Sequence, residues 1–245
     1  YPIAVGLTGA TDVRVPLTSE ARHDLPAMLS AITGRTKAVV ICSPNNPTGP
    51  SVHRAELVAF LDAVPANVLV AIDEAYREFV TDPETPDALE IARGRDNVVV
   101  LRTFSKAYGL AGFRVGYCVA EPRLAAAVRA VSLPFGISVA AQAAVLASLE
   151  SEPALLDRVA RLVEARDDLR SGLLRLGFDV PDAQGNFVWL PAGPLTASYA
   201  ESFLAGRVAV RPYASGGAGD GVRITVGEAE ANARVLEVAA TLQRG

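Results

Sequence analysis

The chain has 245 residues, half of them hydrophobic, and a formal net charge of −4. That length can bury one large domain, or a large one with a small one. The acidic balance gives no electrostatic reason to expect nucleic acid, and no apolar run approaches the roughly 18 residues that span a bilayer. Only two histidines, His23 and His53, are present, so no His-rich metal site is expected. Cys42 and Cys118 lie in apolar runs without a CxxC and read as reduced core thiols of a cytoplasmic protein.

Residues 37–42 (KAVVIC) are short, apolar and β-branched, and predict a buried strand. The PNNPTG stretch at 44–49 breaks it with dense turn chemistry. Residues 52–64 show helical spacing through Leu57, Val58, Phe60 and Leu61. Residues 68–72 (VLVAI) predict a second buried strand, ending in Asp73 and Glu74. A loop with Pro83 and Pro86 leads to a short helix at 88–93, and 98–101 is the third strand. This alternation predicts a parallel sheet with right-handed crossovers. Residues 114–119 (RVGYCV) predict a fourth strand, close enough behind the third to run antiparallel to it.

After Glu121 the pattern changes. Helices are expected at 122–131 and 138–150, then one long amphipathic helix at 153–176, stopped by Gly177. Short strands at 187–190, 208–211 and 222–226 alternate with helices at 195–205 and 229–242. The shift places a domain boundary near Glu150. Residues 1–150 form an α/β unit and 151–245 a smaller α+β unit.

In an open parallel α/β sheet, ligands bind beyond the carboxyl ends of the strands. The ends at 43–49, 73–76 and 103–106 should therefore share one crevice, bringing Asn45, Asn46, Thr48, Asp73, Glu74, Tyr76, Thr103, Ser105 and Lys106 together. A desolvated lysine loses its proton more easily and can form an imine with a carbonyl cofactor. The Thr103 and Ser105 hydroxyls with Arg114 suit a phosphate. For an aromatic cofactor with a ring nitrogen and a ring oxygen, Asp73 would pair with the nitrogen and make the ring an electron sink. Asn46 and Tyr76 would donate to the ring oxygen. Each residue also has a plainer reading: Asn46 as a turn former, Asp73 as a helix N-cap, Tyr76 as a core aromatic. Glu74 reads as a solvated or supporting acid. Joint placement favours the site.

The stretches SPNNPTG (43–49), AIDEAY (71–76) and RTFSKAYGLAGFRVGY (102–117) resemble the motifs of fold-type-I pyridoxal-phosphate aminotransferases. QGNFVWLP (184–191), VRPY (210–213) and GVRITVGEAEAN (221–232) resemble that family's small domain. The similarity is greatest to the histidinol-phosphate and aromatic amino acid enzymes. It implies a three-layer, mostly parallel sheet in the large domain, a smaller α+β C-terminal domain, and pyridoxal 5′-phosphate as cofactor. It matches Lys106 to the Schiff-base lysine, Asp73 to the pyridine-nitrogen partner, Asn46 and Tyr76 to the ring-oxygen partners, and Thr103, Ser105 and Arg114 to the phosphate contacts. Arg223 matches the arginine that grips the substrate α-carboxylate. Arg211 falls where the histidinol-phosphate enzymes keep an arginine for the substrate phosphate and where the aromatic enzymes often read VRP. Asn186 would line the substrate side.

The implied reaction moves an amino group between an aromatic L-amino acid, or a phenylpyruvate-type keto acid, and a 2-oxo acid such as 2-oxoglutarate. Histidinol phosphate is the alternative substrate, and a lyase or decarboxylase keeps the cofactor but changes the bond cleaved. A ligand-sensing domain of a transcription regulator is the non-enzyme alternative. The partners are then small molecules, and the resemblance implies a homodimer. Nucleotide and hydrolase readings lack their motifs: Gly216–Gly221 has the wrong spacing for GxGxxG and reads as a hairpin loop, and neither GxxxxGK[ST] nor GxSxG occurs. The chain begins at Tyr1, not Met, and the family's N-terminal phosphate loop, ring-stacking aromatic and partner-reaching tyrosine are not found. An N-terminal part is therefore expected to be missing, and this chain alone is expected to bind the cofactor poorly and catalyse little.

Overall fold

Three short runs rich in valine and isoleucine build the first sheet. The computed structural model describes residues 1–214 and 219–243, so most of the predicted glycine loop, 216–218, lies outside the described residues. Two short helices, α1 (Pro2–Leu7) and α2 (Leu25–Ser30), come first; no sequence periodicity announces them. There follow β1 (Ala38–Cys42), α3 (Arg54–Ala63), β2 (Leu69–Asp73), α4 (Ala88–Ala92), β3 (Val98–Thr103) and β4 (Gly116–Ala120). β1, β2 and β3 run parallel in that order, and β4 pairs antiparallel with β3. Ile41, Val70, Ile72, Val98 and Val100 share one core with Leu57, Phe60 and Leu61 of α3 and Ala88 and Ile91 of α4. Residues two apart on a strand share a face, so these valines and isoleucines anchor the sheet on its helices. The register sets Cys42 opposite Asp73 and Asp73 opposite Leu101. The carboxyl ends of the three parallel strands are therefore level at one edge.

The chain continues through α5 (Pro122–Val131), α6 (Val139–Glu150), α7 (Glu152–Arg175), β5 (Phe187–Pro191), α8 (Thr196–Ala205), β6 (Arg211–Tyr213), β7 (Gly221–Thr225) and α9 (Ala229–Ala239). The long helix ends as predicted, just before Gly177 at φ 85°, a left-handed conformation that glycine adopts without a Cβ penalty. The second sheet is antiparallel, in the order β5-β7-β6. Val188, Leu190, Val222 and Ile224 share a core with Leu169 and Leu173 of α7, Phe203 of α8 and Val235 of α9. By alternation the opposite face carries Phe187, Trp189, Arg211 and Arg223.

One strand is corrected. The strand expected at 208–211 lies at Arg211–Tyr213. Arg207 leaves α8 in the left-handed region (φ 61°) and the Val208 N–H is spent on the Phe203 carbonyl, 2.8 Å away. Val208 and Val210 pack on the second core instead. Between the two sheets runs an apolar seam of Tyr76, Phe79, Ala107, Val159 and Phe187. Among the described residues no helix is long and apolar enough to cross a membrane.

Candidate active site

The loop after β1 is held from within. Asn45 donates to the Thr48 hydroxyl (2.7 Å), which donates to the Ala21 carbonyl (2.9 Å), and both side chains are buried. These two members of the predicted inventory are therefore consumed in shaping the loop. Asn46 stands exposed at its tip, where its side-chain oxygen accepts from Arg223 Nη1 at 2.7 Å.

Beyond β2, one Asp73 carboxylate oxygen accepts from the Ala75 N–H (2.9 Å) and the other from the Tyr1 hydroxyl. The capping role and the crevice role of Asp73 thus coexist, because a carboxylate offers about four acceptor positions. Tyr76 is buried with its ring edge-on to Phe187, centroids 5.1 Å apart. Burial, above all, raises its pKa, against the pull of the Arg223 charge, so Tyr76 remains a phenol and a hydrogen-bond donor. Beside Asp73, burial and then the carboxylate's charge push the Cys42 thiol up to about 12. Glu74 is not solvated. It is 3% exposed, accepts from the Ala88 N–H (2.9 Å) and pairs with Arg102 through Nε (2.9 Å) and Nη2 (2.6 Å). It braces the backs of β2 and β3, where the sequence pattern gave no reason to expect a partner.

Lys106 Nζ lies 5.3 Å over the Tyr76 ring. Its pKa is lowered first by burial, then by the charges of Arg223 and Arg114, with Asp73 opposing. The Thr103 hydroxyl oxygen accepts from the Ser105 N–H at 3.0 Å. Arg114 takes left-handed backbone (φ 53°), with Nη1 donating to the Ala111 carbonyl at 2.7 Å. A non-glycine residue held there costs of order 1–3 kcal/mol and marks a constrained position. Thr103, Ser105 and Arg114 thus gather on the turn that carries Lys106.

The second sheet supplies the opposing wall. Arg223 of β7 sits opposite Trp189 of β5 and Arg211 of β6. Its Cζ is 5.3 Å from the Phe187 ring centroid, and Nη1 also reaches the Tyr213 hydroxyl at 3.4 Å. Its Nε is buried without a hydrogen-bond partner. An orphaned buried donor costs about 1–3 kcal/mol, which an incoming anionic acceptor would recover. Arg211 is exposed, its guanidinium 5.9 Å from the Tyr213 ring. Asn186 is half-buried, and its carbonyl accepts from the Val226 N–H at 3.0 Å.

The structure therefore brings Asn46, Asp73, Tyr76, Lys106 and Arg223 around one crevice, with Thr103, Ser105 and Arg114 beside the lysine. Arg211 is a neighbour on the Arg223 face, and Asn186 lies at the start of β5. Sequence reasoning gave Tyr1 no role against Asp73, since 72 residues separate them and no local pattern links them. Tyr213 stood in the VRPY stretch with no partner assigned, and its contact with Arg223 needs the pairing of β6 with β7.

The family model for aminotransferase class I and II matches residues 1–239. An aromatic amino acid aminotransferase of Streptomyces avermitilis is 54% identical over 238 residues, 97% of this chain and 65% of that protein. Its Streptomyces coelicolor counterpart is 52% identical over the same shares. This chain thus spans about 65% of the length of these curated relatives. Among solved structures, histidinol-phosphate aminotransferase from Sinorhizobium meliloti in complex with pyridoxal-5′-phosphate superimposes with a TM-score of 0.85 at 30% identity, covering 99% of this chain and 68% of that one. A Thermus thermophilus aspartate aminotransferase mutant gives 0.85 at 26% identity, covering 98% and 69%.

Proposed function

Because the chain belongs to the aminotransferase class I and II family, we propose that it carries the reaction crevice of a pyridoxal-phosphate-dependent transaminase. Its substrates would be an aromatic L-amino acid and a 2-oxo acid such as 2-oxoglutarate. The observation that carries this reading is the pairing of two groups across the crevice: a lysine with a lowered pKa and an arginine with an unsatisfied buried Nε.

The residues fit the cofactor. Lys106 would hold its aldehyde, Asp73 its ring nitrogen, Tyr76 and Asn46 its ring oxygen, and Thr103, Ser105 and Arg114 its phosphate. The fit rests on a lysine with a lowered pKa, a phenol kept protonated, and a carboxylate at the carboxyl end of β2, opposite Cys42 of β1. When bound, pyridoxal phosphate supplies the carbonyl that accepts the amino group and a ring that stabilises the electron pair left at the substrate Cα. Arg223 would take the substrate carboxylate through its Nε and Nη edge, a bidentate geometry that fixes orientation as well as charge. With the substrate so held, Lys106 Nζ would remove the proton from Cα as general base. Phe187 and Trp189 share a strand face with Arg223, which supports an aromatic side chain, as do the names of the relatives above. Arg211 and Asn186 would lie at the outer, substrate-side rim.

The assembly would be a cytoplasmic homodimer, with the large and small units dividing near Glu150. The test is turnover by the whole protein loaded with pyridoxal phosphate, with 2-oxoglutarate as acceptor and phenylalanine or histidinol phosphate as donor. Faster turnover of phenylalanine is expected. Preference for histidinol phosphate would overturn the substrate assignment, and no amino transfer from either donor would overturn the reaction.

A further inference from the structure

Arg166 is the largest fully buried side chain among the described residues, at 1% exposure. It projects from α7 into the junction between the two sheets. Its Nη1 donates to the Phe79 carbonyl (2.8 Å) and more weakly to that of Gly185 (3.4 Å), and Nη2 donates to the Thr81 hydroxyl (3.2 Å). Its only ion-pair partner among the described residues is Asp167, which is 57% exposed. Gln184 works on the same seam. Its side-chain oxygen accepts from the backbone N–H groups of Thr81 (2.7 Å) and Asp82 (3.1 Å), its side-chain amide donates to the Asp182 carboxylate (3.0 Å), and its backbone N–H donates to the Gly49 carbonyl (3.1 Å). Gly49 has φ 104°, and a Cβ there would fall 2.6 Å from the Asp182 carbonyl oxygen, so the two backbones meet directly.

These contacts bracket the crevice. Gly49 is three residues past Asn46, and Thr81 follows Tyr76 by five. Gly185 precedes Phe187, the ring that touches both Tyr76 and Arg223. Burying a guanidinium chiefly against neutral carbonyls is a poor source of stability, since its desolvation offsets most of the attraction. A planar fork with five donors does, however, fix several chain segments in one relative position.

We propose that Arg166 and Gln184 are positioning residues. They lock β5, and through Phe187 and β7 the Arg223 guanidinium, at a set distance from the Lys106–Tyr76 wall, and so define where the substrate carboxylate is held. The inference rests on the transaminase reading above. In a site of this kind a displacement of about 1 Å costs up to about 100-fold in rate.

The experiment compares Arg166→Met, Arg166→Lys and Gln184→Leu with the parent in the whole cofactor-loaded protein. Three quantities are read: binding of 3-phenylpropionate as a non-reacting carboxylate, kcat and KM for phenylalanine, and the emission and acrylamide quenching of Trp189. Trp189 is the single tryptophan of these 245 residues and lies opposite Arg223 in the second sheet. The expected result is a loss of about 10- to 100-fold in 3-phenylpropionate affinity and in kcat/KM, with Trp189 emission red-shifted and more easily quenched and with cofactor retention unchanged. Arg166→Lys should recover only part of the loss, because an ammonium cannot span the same acceptors. Unchanged carboxylate binding and unchanged Trp189 emission would overturn the proposal, whatever happens to the melting temperature. Should Arg166→Met not fold, Gln184→Leu decides by the same criteria. Arg223→Gln is the control for the functional reading. If it too leaves 3-phenylpropionate binding intact, that reading fails, and the Trp189 signal alone decides whether the lock exists.

Discussion

Removing Arg102 should expose how the strand ends are braced. Glu74 is 3% exposed, and Arg102 supplies two of its hydrogen bonds, at 2.9 and 2.6 Å. The same guanidinium reaches Asp87, the N-cap of α4, at 2.7 Å. Arg102→Met keeps the length of the side chain but strands a buried carboxylate with only the Ala88 N–H. Breaking one side of a buried pair costs about 3–5 kcal/mol. At about 2–4 °C per kcal/mol for a chain of this size, the melting midpoint should fall by roughly 6–20 °C at pH 7. The loss should also depend on pH. Burial already holds the Glu74 pKa above its ordinary 4.5 in the folded chain, with Arg102 among the groups opposing it, and the variant raises it further. A folded-state pKa above the unfolded value contributes stability that is full below 4.5 and is lost as pH rises through the folded value. The variant's deficit should therefore be largest at neutral pH and shrink on acidification, as Glu74 takes up its proton. Urea titrations of parent, Arg102→Met, Glu74→Gln and the double variant at several pH values measure this, and the cycle should show non-additivity of about 0.5–3 kcal/mol. A loss below about 1 kcal/mol at pH 7, or one that does not shrink in acid, would refute the reasoning.

Lys106 and Lys37 are the only lysines, so mass-spectrometric acylation rates compare them within one molecule; Lys106 should react at a lower pH than an ordinary lysine, and Arg223→Gln should move its profile upward by removing the second-largest cause of its lowered pKa. Because that pKa is lowered from 10.5 in the folded chain, Lys106→Met should stabilise the fold at neutral pH, with the gain vanishing above 10.5; thermal melts at pH 7 and pH 11 check the sign. Phe187→Ala should cost about 3–5 kcal/mol in urea unfolding and weaken carboxylate binding, since Phe187 is 1% exposed and touches both Tyr76 and Arg223. Gly49→Ala should cost at least about 1–3 kcal/mol, measured the same way, because its φ of 104° excludes a side chain and Asp182 blocks the Cβ.

The strands and long helices were legible because their signal is local. β-branched runs between turn residues mark β1, β2 and β3, and helical spacing with a terminal glycine marks α7. Parallel pairing then follows from the intervening helices, and it places Asn46, Asp73 and Lys106 at one edge before any coordinate is known. The second sheet's alternation likewise puts Arg223 on the face of Trp189 and Arg211 once register is given. What the chain order left open was every contact between distant segments. The Tyr1 hydroxyl on Asp73, the Arg102 fork on Glu74 and the Arg166 bridge across the seam join residues 72, 28 and up to 87 positions apart. No periodicity encodes such pairs, since they depend on how two packed cores come to rest against one another. Residue types and strand ends specified the chemistry available; tertiary packing decided which charges are desolvated, which donors remain unsatisfied, and how far Arg223 stands from Lys106.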